Sequence, residues 1–476
     1  MNTGGYKMNL KSSRRGFLAL STGLFLPKRM LFGQTVQGAL PSKQLRIALI
    51  GCGWMGGSAA RDLMRVGVTI VALCDVDDEA IARTIKELKL SPDIPSFKDW
   101  RELLAKKGRE FDAVSIATQD HMHAIIAADC MLHGKHCYIQ KPLARTVGEC
   151  EKLMELQRKT GVVCQMGNQG HPGVFRYDAL LAKRNPWGEI TRIESWSDRP
   201  GTGKKPWWDQ GMKKFPAAKP APKQFGEKGW DLFCGVSPNR GFNWQYRWAW
   251  RGWWDFGCGA IGDMAVHNAD PAFWTFKLGL PVSVKADTLG TGPCGIAHPK
   301  QSIIEMEFAP QKLFPKGVTF TWRDGGLLPD RVQGMDSRLQ YPDNGLLVCG
   351  SEATTLGGSH AATPSVIALN GREWGEESKA LQKECLKIVK KVGWVNHYEQ
   401  WVKASIAGTP EVCGSKLEVS APFTEALLVG CVGLQFPGEK LLFDAKKLQF
   451  TNKPEANRFL ALPGRGEYDF SKIGPA

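Results

Sequence analysis

The chain has 476 residues, of which 43% are hydrophobic, so it is too long for one ordinary core and long enough for two domains. Its net charge of +15 would suit an anionic partner, but the basic residues are scattered along the sequence and no nucleic-acid-binding module is recognisable, so we expect a solvated basic surface and no nucleic-acid partner. The 13 cysteines form no C-x-x-C pair and no zinc-like spacing with histidine, which predicts buried thiols rather than a disulfide framework or a metal site.

Residues 1–39 are predicted to be an export signal and linker. Arg14 and Arg15 precede an apolar stretch that ends near Leu26 and is too short to span a membrane. This pattern resembles a twin-arginine signal, which implies a periplasmic or secreted protein. A basic tail with a chance arginine pair is the alternative. No other segment is long and apolar enough for stable membrane insertion.

A glycine motif follows, in which an apolar run at 47–50 leads into Gly51-Cys52-Gly53-Trp54-Met55-Gly56. In a βαβ unit the first glycine permits a tight turn, the second lets the backbone approach a pyrophosphate, and the third lets the helix pack closely on the strand. A helix at 58–66 and a buried strand at 68–74 are expected next. Asp75 ends that strand, where a carboxylate binds a ribose 2′-hydroxyl and repels a 2′-phosphate, so the motif predicts NAD. An unrelated glycine-rich turn is the alternative.

Strands and helices continue to alternate up to Gly167, which predicts a doubly wound parallel sheet in a Rossmann domain over residues 40–167. We expect helices at 79–88, 100–106, from residue 121 and at 146–159, and strands at 113–117, 136–142 and 162–166. Ligands bind outside the carboxyl ends of such strands. Lys141 is therefore expected beside the reactive ring of the cofactor, and Pro142 fixes the turn behind it.

Residues 168–476 differ in composition. Eleven of the 17 tryptophans lie between Asn185 and Trp274, among many glycines and prolines. Alternating runs at 282–286, 303–308, 318–322 and 346–348 predict a largely antiparallel, half-exposed sheet. An apolar helix at 419–433 and a terminal extension at 441–450 complete the pattern. We therefore predict a second α/β domain with an open, mostly antiparallel sheet.

A second chemical motif lies in this part of the chain. Asp263 and His267 follow a glycine-rich stretch and are four residues apart, so on a helix they share one face. Across a cleft from Lys141, such a pair can take a proton from a hydroxyl as hydride leaves its carbon. Asp263 would orient the imidazole or the substrate, and Lys141 would polarise the developing carbonyl oxygen. A capping aspartate, a core histidine and a surface lysine are the structural alternatives, and a metal site lacks a clear third ligand.

The order of these motifs resembles the glucose-fructose oxidoreductase, inositol dehydrogenase and MocA (Gfo/Idh/MocA) family. The resemblance is carried by the glycine motif, Ala117-Thr118 before His123, Gln140-Lys141-Pro142, and Gly262-Asp263-x3-His267-x2-Asp270. Segments 253–257, 322–326 and 451–457 are similar to its exported bacterial branch. By this resemblance Lys141 matches the lysine of an E-K-P motif, and Asp263 and His267 match the family's acid and histidine. Gln140 stands where the family usually has Glu, which removes a charge beside Lys141.

The resemblance also implies the architecture and the ligands. It implies that residues 168–476 bind the substrate and form a dimer or tetramer, and that the substrate is a sugar, polyol or glycoside. The implied NAD-binding residues are Gly51, Gly53, Trp54, Met55, Gly56, Asp75, Thr118, His123, Gln140 and Lys141. Aromatic rings stack on sugars, so the candidate substrate-binding residues are Trp207, Trp208, Tyr246, Trp254 and Trp322, with Asn168, Gln169 and His171 on the loop after the last Rossmann strand.

Three functions remain open from the sequence. The leading prediction is an exported NAD-dependent sugar or glycoside dehydrogenase with a tightly held cofactor. The first alternative is an NAD-dependent glycoside hydrolase that oxidises a hydroxyl transiently, eliminates the glycosidic group and reduces the product. A compartment without free NAD favours that closed cycle, whereas the Lys141, Asp263 and His267 pattern favours ordinary dehydrogenation. A non-catalytic nucleotide- or sugar-binding protein is the second alternative.

Overall fold

The computed structural model of the protein describes residues 44–201, 206–289 and 295–475. Arg14, Arg15 and the rest of the predicted export signal lie outside these residues. The described chain belongs to one compact unit, Leu40–Ala476. Within the described residues, no helix combines the length and apolar character needed to cross a membrane. The cysteines of this part of the chain are buried free thiols.

The first half of the described chain forms a six-stranded parallel sheet in the order β3-β2-β1-β4-β5-β6. The sequences of its strands are continuous apolar runs because helices cover both faces of the sheet. The strand order is that of a doubly wound dinucleotide-binding fold, which confirms the predicted fold class. The elements are β1 (Arg46–Ile50), α1 (Trp54–Arg65), β2 (Thr69–Cys74), α2 (Asp78–Leu88), β3 (Ser96–Phe97), α3 (Trp100–Lys107), β4 (Ala113–Ile116), α4 (Asp120–Leu132), β5 (His136–Gln140), α5 (Val147–Thr160) and β6 (Cys164–Gly167).

The second half forms a nine-stranded sheet in the order β13-β12-β11-β7-β10-β9-β8-β14-β15. All neighbouring strands are antiparallel except β7 and β10, which confirms the predicted open, mostly antiparallel sheet. The strands are β7 (Ile190–Ser197), β8 (Ser283–Leu289), β9 (Gln301–Phe308), β10 (Val318–Arg323), β11 (Asn344–Gly350), β12 (Ala353–Gly358), β13 (Ser365–Leu369), β14 (Lys440–Asp444) and β15 (Gln449–Phe450).

The remaining helices pack around this sheet and join it to the first. They are α6 (Val174–Lys183), α7 (Gly229–Cys234), α8 (Trp244–Trp248), α9 (Val266–Asn268), α10 (Asp270–Phe276), α11 (Glu376–Val389), α12 (His397–Ala407) and α13 (Leu417–Gly433). Helix α13 is buried along almost its whole length and contacts both α5 and β8. A helix that is apolar on all sides needs partners on all sides, so α13 ties the two sheets into one core.

The tryptophan-rich stretch, residues 206–258, lies over the carboxyl end of the parallel sheet. Its aromatic side chains form a separate buried cluster that includes Phe225, Trp230, Phe233, Phe242, Tyr246, Trp253 and Phe256. Lys98, the residue after β3, donates to the carbonyl oxygen of Gln224 at 2.7 Å. At the start of α4, His121 Nε2 lies 3.0 Å from the carbonyl oxygen of Phe233. The stretch is therefore anchored on both flanks of the predicted cofactor cleft.

Candidate functional site

The glycine loop has the geometry that a bound dinucleotide requires. Gly51 has a φ of +93°, and a Cβ there would lie 2.5 Å from the carbonyl oxygen of Ala117. A Cβ at Gly56 would lie 1.9 Å from the carbonyl oxygen of Gly51, so helix α1 can pack this closely only with glycine. A Cβ at Gly53 meets nothing within 4 Å. The open space beside Gly53 is where backbone N–H groups at the start of α1 meet phosphates.

Asp75 lies at the end of β2 beside this loop. It accepts hydrogen bonds from the backbone N–H of Cys52 at 2.6 Å and of Asp77 at 2.9 Å. Burial raises the pKa of Asp75, and these two bonds oppose that effect. A carboxylate has about four acceptor positions, so Asp75 retains capacity for ribose hydroxyl groups.

The unpaired amide of Gln140 is a second feature that fits a nicotinamide nucleotide. Its amide is buried at the carboxyl end of β5, and neither Nε2 nor Oε1 has a hydrogen-bond partner among the described residues. A buried unpaired amide is costly. The amide needs a ligand that offers both a donor and an acceptor, as ribose hydroxyls and a carboxamide do. Together with the glycine loop and Asp75, these residues fit NAD.

Of the other predicted NAD-binding residues, Trp54 is 80% exposed at the start of α1. Met55 Sδ lies 3.7 Å from Gln169 Nε2, which links the glycine loop to the loop after β6. His123 lies deeper, where its ring nitrogens are 2.8 Å from the carbonyl oxygen of Pro142 and 3.1 Å from that of Thr118. Burial lowers the pKa of His123 to about 4. His123 therefore braces the turn that carries Lys141.

Lys141 and Asp263 form the centre of the candidate site. Lys141 Nζ donates to Asp263 Oδ1 at 2.6 Å and to the Asp263 carbonyl oxygen at 2.8 Å, and both side chains are buried. Arg251 Nε donates to the same Oδ1 at 2.9 Å. Burial alone would raise the pKa of Asp263, but the charges of Lys141 and Arg251 hold it well below its usual range. Burial lowers the pKa of Lys141, and the adjacent carboxylate opposes that shift.

The backbone around Asp263 differs from the expected α-helix. Residues Ile261–Ala265 form a π-helical turn, which continues into α9. Such turns are rare and occur frequently at functional sites. In this turn both the side chain and the carbonyl oxygen of Asp263 accept from Lys141.

His267 is buried beside this centre. Its ring stacks on that of His360, with ring centroids 4.0 Å apart and planes inclined by 22°. Burial lowers the pKa of His267 well below its usual value, and the charges of His360 and Lys141 act in the same direction. Its Nδ1 has no partner in the described part of the chain. His267 is therefore a neutral imidazole at neutral pH.

The loop after β6 is hydrogen-bonded to Asp270 at the start of α10, three residues after His267. Asn168 Nδ2 donates to Asp270 Oδ2 at 3.0 Å, and His171 Nδ1 donates to the same oxygen at 2.9 Å. Burial raises the pKa of Asp270, and His171 opposes this. Asn168 and His171 thus belong to a buried network one helical turn after His267.

The aromatic candidates divide into two groups. Trp207 is 64% exposed, and the Arg199 guanidinium lies 3.8 Å from its ring centroid. The half-buried Trp254 contacts His298, with ring centroids 3.6 Å apart and planes inclined by 36°. Trp208 is largely buried and donates to Gln210. Tyr246 and Trp322 are fully buried, in the aromatic cluster and under the nine-stranded sheet respectively. Those two side chains contribute to the cores and are not accessible for stacking on a sugar.

Sequence reasoning missed three residues at this site. Arg251 was not selected because its short motif carries no chemical signature, and His360 is distant from the other site residues in the sequence. Asp120 accepts from the backbone N–H of Cys258 at 3.0 Å, and burial raises its pKa to about 7.

Within the described residues, no group of three or more His, Cys, Asp or Glu side chains is arranged to hold a metal ion.

Comparison with known proteins identifies the N-terminal domain. Residues 45–168 match the family model described as "Oxidoreductase family, NAD-binding Rossmann fold", GFO_IDH_MocA. The chain therefore carries an NAD-binding Rossmann domain of this family.

Curated relatives match over the N-terminal part only. Glycosyl hydrolase family 109 protein 3 of Phocaeicola vulgatus is 32% identical over 188 residues, which are 38% of this chain and 33% of that protein. The alpha-N-acetylgalactosaminidase of Shewanella oneidensis is 33% identical over 173 residues, which are 34% of this chain and 37% of that enzyme. The chain thus spans about a third of the length of the curated relatives that it matches.

Solved structures are similar over most of the chain. The WlbA dehydrogenase from Bordetella pertussis, in complex with NADH and UDP-GlcNAcA, has a TM-score of 0.55 at 16% identity, covering 85% of this chain and 99% of that chain. An inositol dehydrogenase homolog from Azotobacter vinelandii, complexed with NADH and myo-inositol, has a TM-score of 0.55 at 14% identity, covering 84% and 98%. These likenesses establish the two-part α/β fold.

Proposed function

We propose that the protein is an NAD-dependent oxidoreductase that acts on a hydroxyl group of a sugar or glycoside and holds its cofactor tightly. The observation that carries the proposal is the buried pair of Lys141 and Asp263 at the carboxyl end of β5, beside a loop whose geometry fits NAD. Charged pairs of this kind, desolvated in a cleft, are typical of catalytic sites.

The residues have complementary roles in this proposal. Bound NAD supplies the hydride acceptor. Lys141 has three N–H bonds, of which two are used on Asp263, so one remains to donate to the oxygen of the reacting hydroxyl. His267 is a neutral imidazole and accepts the hydroxyl proton. Asp263 fixes the ammonium group of Lys141 in place.

Tight retention of the cofactor is expected because the tryptophan-rich stretch, residues 206–258, lies over the cleft. Residues 206–258 contact the end of β3 through Lys98 and the start of α4 through His121. Release of a nucleotide from beneath this stretch requires these contacts to open. Of the proposed substrate-binding residues, Trp207 is exposed and Trp254 half-buried, whereas Asn168 and His171 are buried in the network around Asp270.

The second candidate function is an NAD-dependent glycoside hydrolase working by transient oxidation, elimination and re-reduction. The observation that favours it is the match to glycosyl hydrolase family 109 proteins over the NAD-binding domain. The two candidates share the first step, hydride removal from a sugar carbon, and therefore the same roles for Lys141 and His267.

One experiment separates these functions. The purified protein is incubated with myo-inositol, methyl hexosides and p-nitrophenyl glycosides, including the α-N-acetylgalactosaminide, while reduced nicotinamide and released nitrophenol are recorded together. Reduced nicotinamide without nitrophenol identifies a dehydrogenase, and nitrophenol without net reduction identifies the redox-cycling hydrolase. If NAD is bound but neither reduced nicotinamide nor nitrophenol is formed, both enzymatic functions are contradicted and a binding protein is the remaining candidate. Lys141→Met is the matched inactive control.

We also propose the organisation of the whole chain. Residues 1–39 are an export signal and linker, 40–167 the NAD-binding domain, and 168–476 the substrate-binding domain, through which the protein forms a dimer or tetramer. The supporting observation for the inner boundary is that the parallel sheet ends at Gly167. Export to the periplasm or medium is supported by Arg14 and Arg15 alone.

A further inference from the structure

We propose that His360 Nε2 accepts a hydrogen bond from the substrate hydroxyl next to the one that is oxidised, so that the site recognises a vicinal diol. This inference rests on the proposed oxidoreductase function. His360 thereby binds the substrate, and Ser359 and Asn268 are positioning residues that fix its tautomer.

His360 lies on a strained turn between β12 and β13. His360 and the next residue, Ala361, have φ angles of +56° and +52°. Non-glycine residues are uncommon in this left-handed region, and such strain persists only where the surrounding structure enforces it. A Cβ at Gly170 would lie 2.6 Å from the His360 carbonyl oxygen, and one at Gly173 would lie 2.2 Å from that of Ala361. The turn is thus pressed against the loop after β6.

The imidazole of His360 packs against the imidazole of His267, the proposed proton acceptor. One face of its ring stacks on His267 at 4.0 Å, and the residue is otherwise exposed. Burial on the stacked side lowers the pKa of His360, and the charges of Lys141 and Arg199 lower it further, while Asp263 opposes them. The ring is therefore neutral at neutral pH and lies on the open side of the proposed proton acceptor.

A chain of hydrogen bonds determines which nitrogen of His360 carries the proton. Asn268 Nδ2 donates to the backbone carbonyl of Trp196 at 2.8 Å, so Asn268 Oδ1 must be the acceptor of that amide. Ser359 Oγ lies 2.8 Å from this Oδ1 and donates its only proton to it. His360 Nδ1 lies 2.6 Å from Ser359 Oγ, which has only lone pairs left to offer. Nδ1 therefore carries the proton.

The orientation of Asn268 is itself supported from a second side. Asn344 Nδ2 donates to the Asp198 carboxylate at 2.9 Å, so Asn344 Oδ1 is also an acceptor. That oxygen lies 3.5 Å from Asn268 Nδ2. A carboxylate can only accept, so Asp198 sets the direction of the chain from its far end.

The consequence is an unprotonated Nε2 without a partner among the described residues. It is held beside His267 by a ring stack, so the two imidazoles present neighbouring acceptors. One takes the proton of the hydroxyl that is oxidised, and the other binds the hydroxyl on the adjacent carbon without proton transfer. A substrate with two adjacent hydroxyl groups satisfies both.

The first test reads the tautomer without any substrate. Histidine ¹⁵N resonances of the NAD-loaded protein are recorded at neutral pH, and His360 is assigned by its loss in His360→Asn. The expected result is a neutral ring protonated at Nδ1 in the wild type and a mixture of tautomers in Ser359→Ala. A wild-type ring protonated at Nε2, or a charged ring, would overturn the proposal.

The second test compares methyl hexosides with their 2-deoxy, 3-deoxy and 4-deoxy forms. Asn tolerates the left-handed region and still reaches Ser359, but lacks Nε2, so His360→Asn isolates that one acceptor. We expect kcat/KM for the oxidised parent sugar to fall roughly 5- to 10-fold, the effect of one hydrogen bond, and kcat/KM for the analogue lacking the neighbouring hydroxyl to stay unchanged. Equal losses for both sugars, or no loss, would contradict the assignment. His133→Asn is the control.

The two proposals fail separately. If the wild type reduces its NAD with no sugar of the set, the oxidoreductase proposal fails. The His360 ¹⁵N resonance then still decides this inference, because it is expected to shift when a methyl hexoside is added and not with the analogue that lacks the neighbouring hydroxyl. No shift with any of these sugars would overturn it.

Discussion

Lys141 and Arg251 donate to the same oxygen of Asp263, from 2.6 and 2.9 Å respectively. Two cations that converge on one buried carboxylate keep it ionised, and the carboxylate in turn offsets the cost of burying them. Asp263 therefore acts as a fixed anchor for Lys141, with Arg251 as the second support.

Replacement of Lys141 by Met tests the centre of the site. We expect the rate of hydride transfer to fall roughly 10²–10⁴-fold, because a positioned group that stabilises the developing oxygen charge is lost. NAD content is expected to stay normal, since the glycine loop is untouched. Single-turnover absorbance and nucleotide content measure the two quantities. Lys106→Met, at an exposed helix position, is the control, and near-normal transfer in Lys141→Met would remove support for the assignment.

His267→Ala tests the proton acceptor. The expected loss is again roughly 10²–10⁴-fold in the chemical step, with NAD bound as in the wild type. Asp263→Asn is expected to be milder if Asp263 only anchors Lys141, and as severe as His267→Ala if Asp263 is itself the base. Unchanged single-turnover rates in His267→Ala would show that the proton goes elsewhere.

The parallel sheet was predictable because its signals are local. Continuous apolar runs, the glycine motif and Asp75 each lie within a few residues of the element they define, and tertiary structure kept them as the sequence indicated. Lys141 was located in the same way, since a strand end fixes its position in the fold.

Other features depend on residues that are distant in the sequence. Strand β7 was not predicted, and it pairs in parallel with β10, more than a hundred residues later. The π-helical turn at Asp263 has the same sequence spacing as an α-helix would, so no periodicity reveals it. His360 reaches the site only because its turn docks on Gly170 and Gly173, a contact that no local pattern encodes.

Buried histidines predict a steep loss of stability in acid. Burial lowers the pKa of His121 and His397 to about 3 and of His123 and His298 to about 4. In the unfolded chain these groups take up protons near pH 6.5, so the unfolded state binds more protons as the pH falls below that value. Each histidine then costs about 1.4 kcal/mol of unfolding free energy per pH unit, down to its folded pKa.

Urea unfolding between pH 7 and pH 4.5 measures this dependence. Stability is expected to fall below about pH 6.5, where the four histidines outnumber Asp120 and Asp324, whose pKa values burial raises to about 7 and which act in the opposite direction. His298→Gln should make the slope shallower, and the half-exposed His133→Gln should not. A pH-independent midpoint in the wild type would contradict the assignment of these rings as neutral in the folded protein.

The isolated protein is expected to contain NAD and not NADP. Asp75 lies at the end of β2 and accepts from the glycine loop, at the position where a carboxylate accepts from a ribose 2′-hydroxyl and repels a 2′-phosphate. Arg247 is a cation near Asp75, but it lies 3.4 Å from the carboxylate of Asp77, which offsets the positive charge of Arg247. Mass spectrometry of nucleotide released by denaturation identifies the cofactor. Asp75→Ser should raise the NADP fraction after reloading, and recovery of NADP alone from the wild type would contradict the role of Asp75.

Export should depend on Arg14 and Arg15 together. A twin-arginine signal is an address read by a transport system, so Arg14→Lys with Arg15→Lys keeps the charge and removes only the recognised side chains. We expect the double variant to remain in the cytoplasm with NAD bound and unchanged activity, because the pair serves as an address and has no role in the chemistry. Cell fractionation followed by an activity assay measures both quantities. Lys28→Arg, which alters a basic residue beyond the apolar stretch, should be exported normally. If the double variant reaches the periplasm or medium as efficiently as the wild type, the pair is not an export signal and the chain must be addressed in another way.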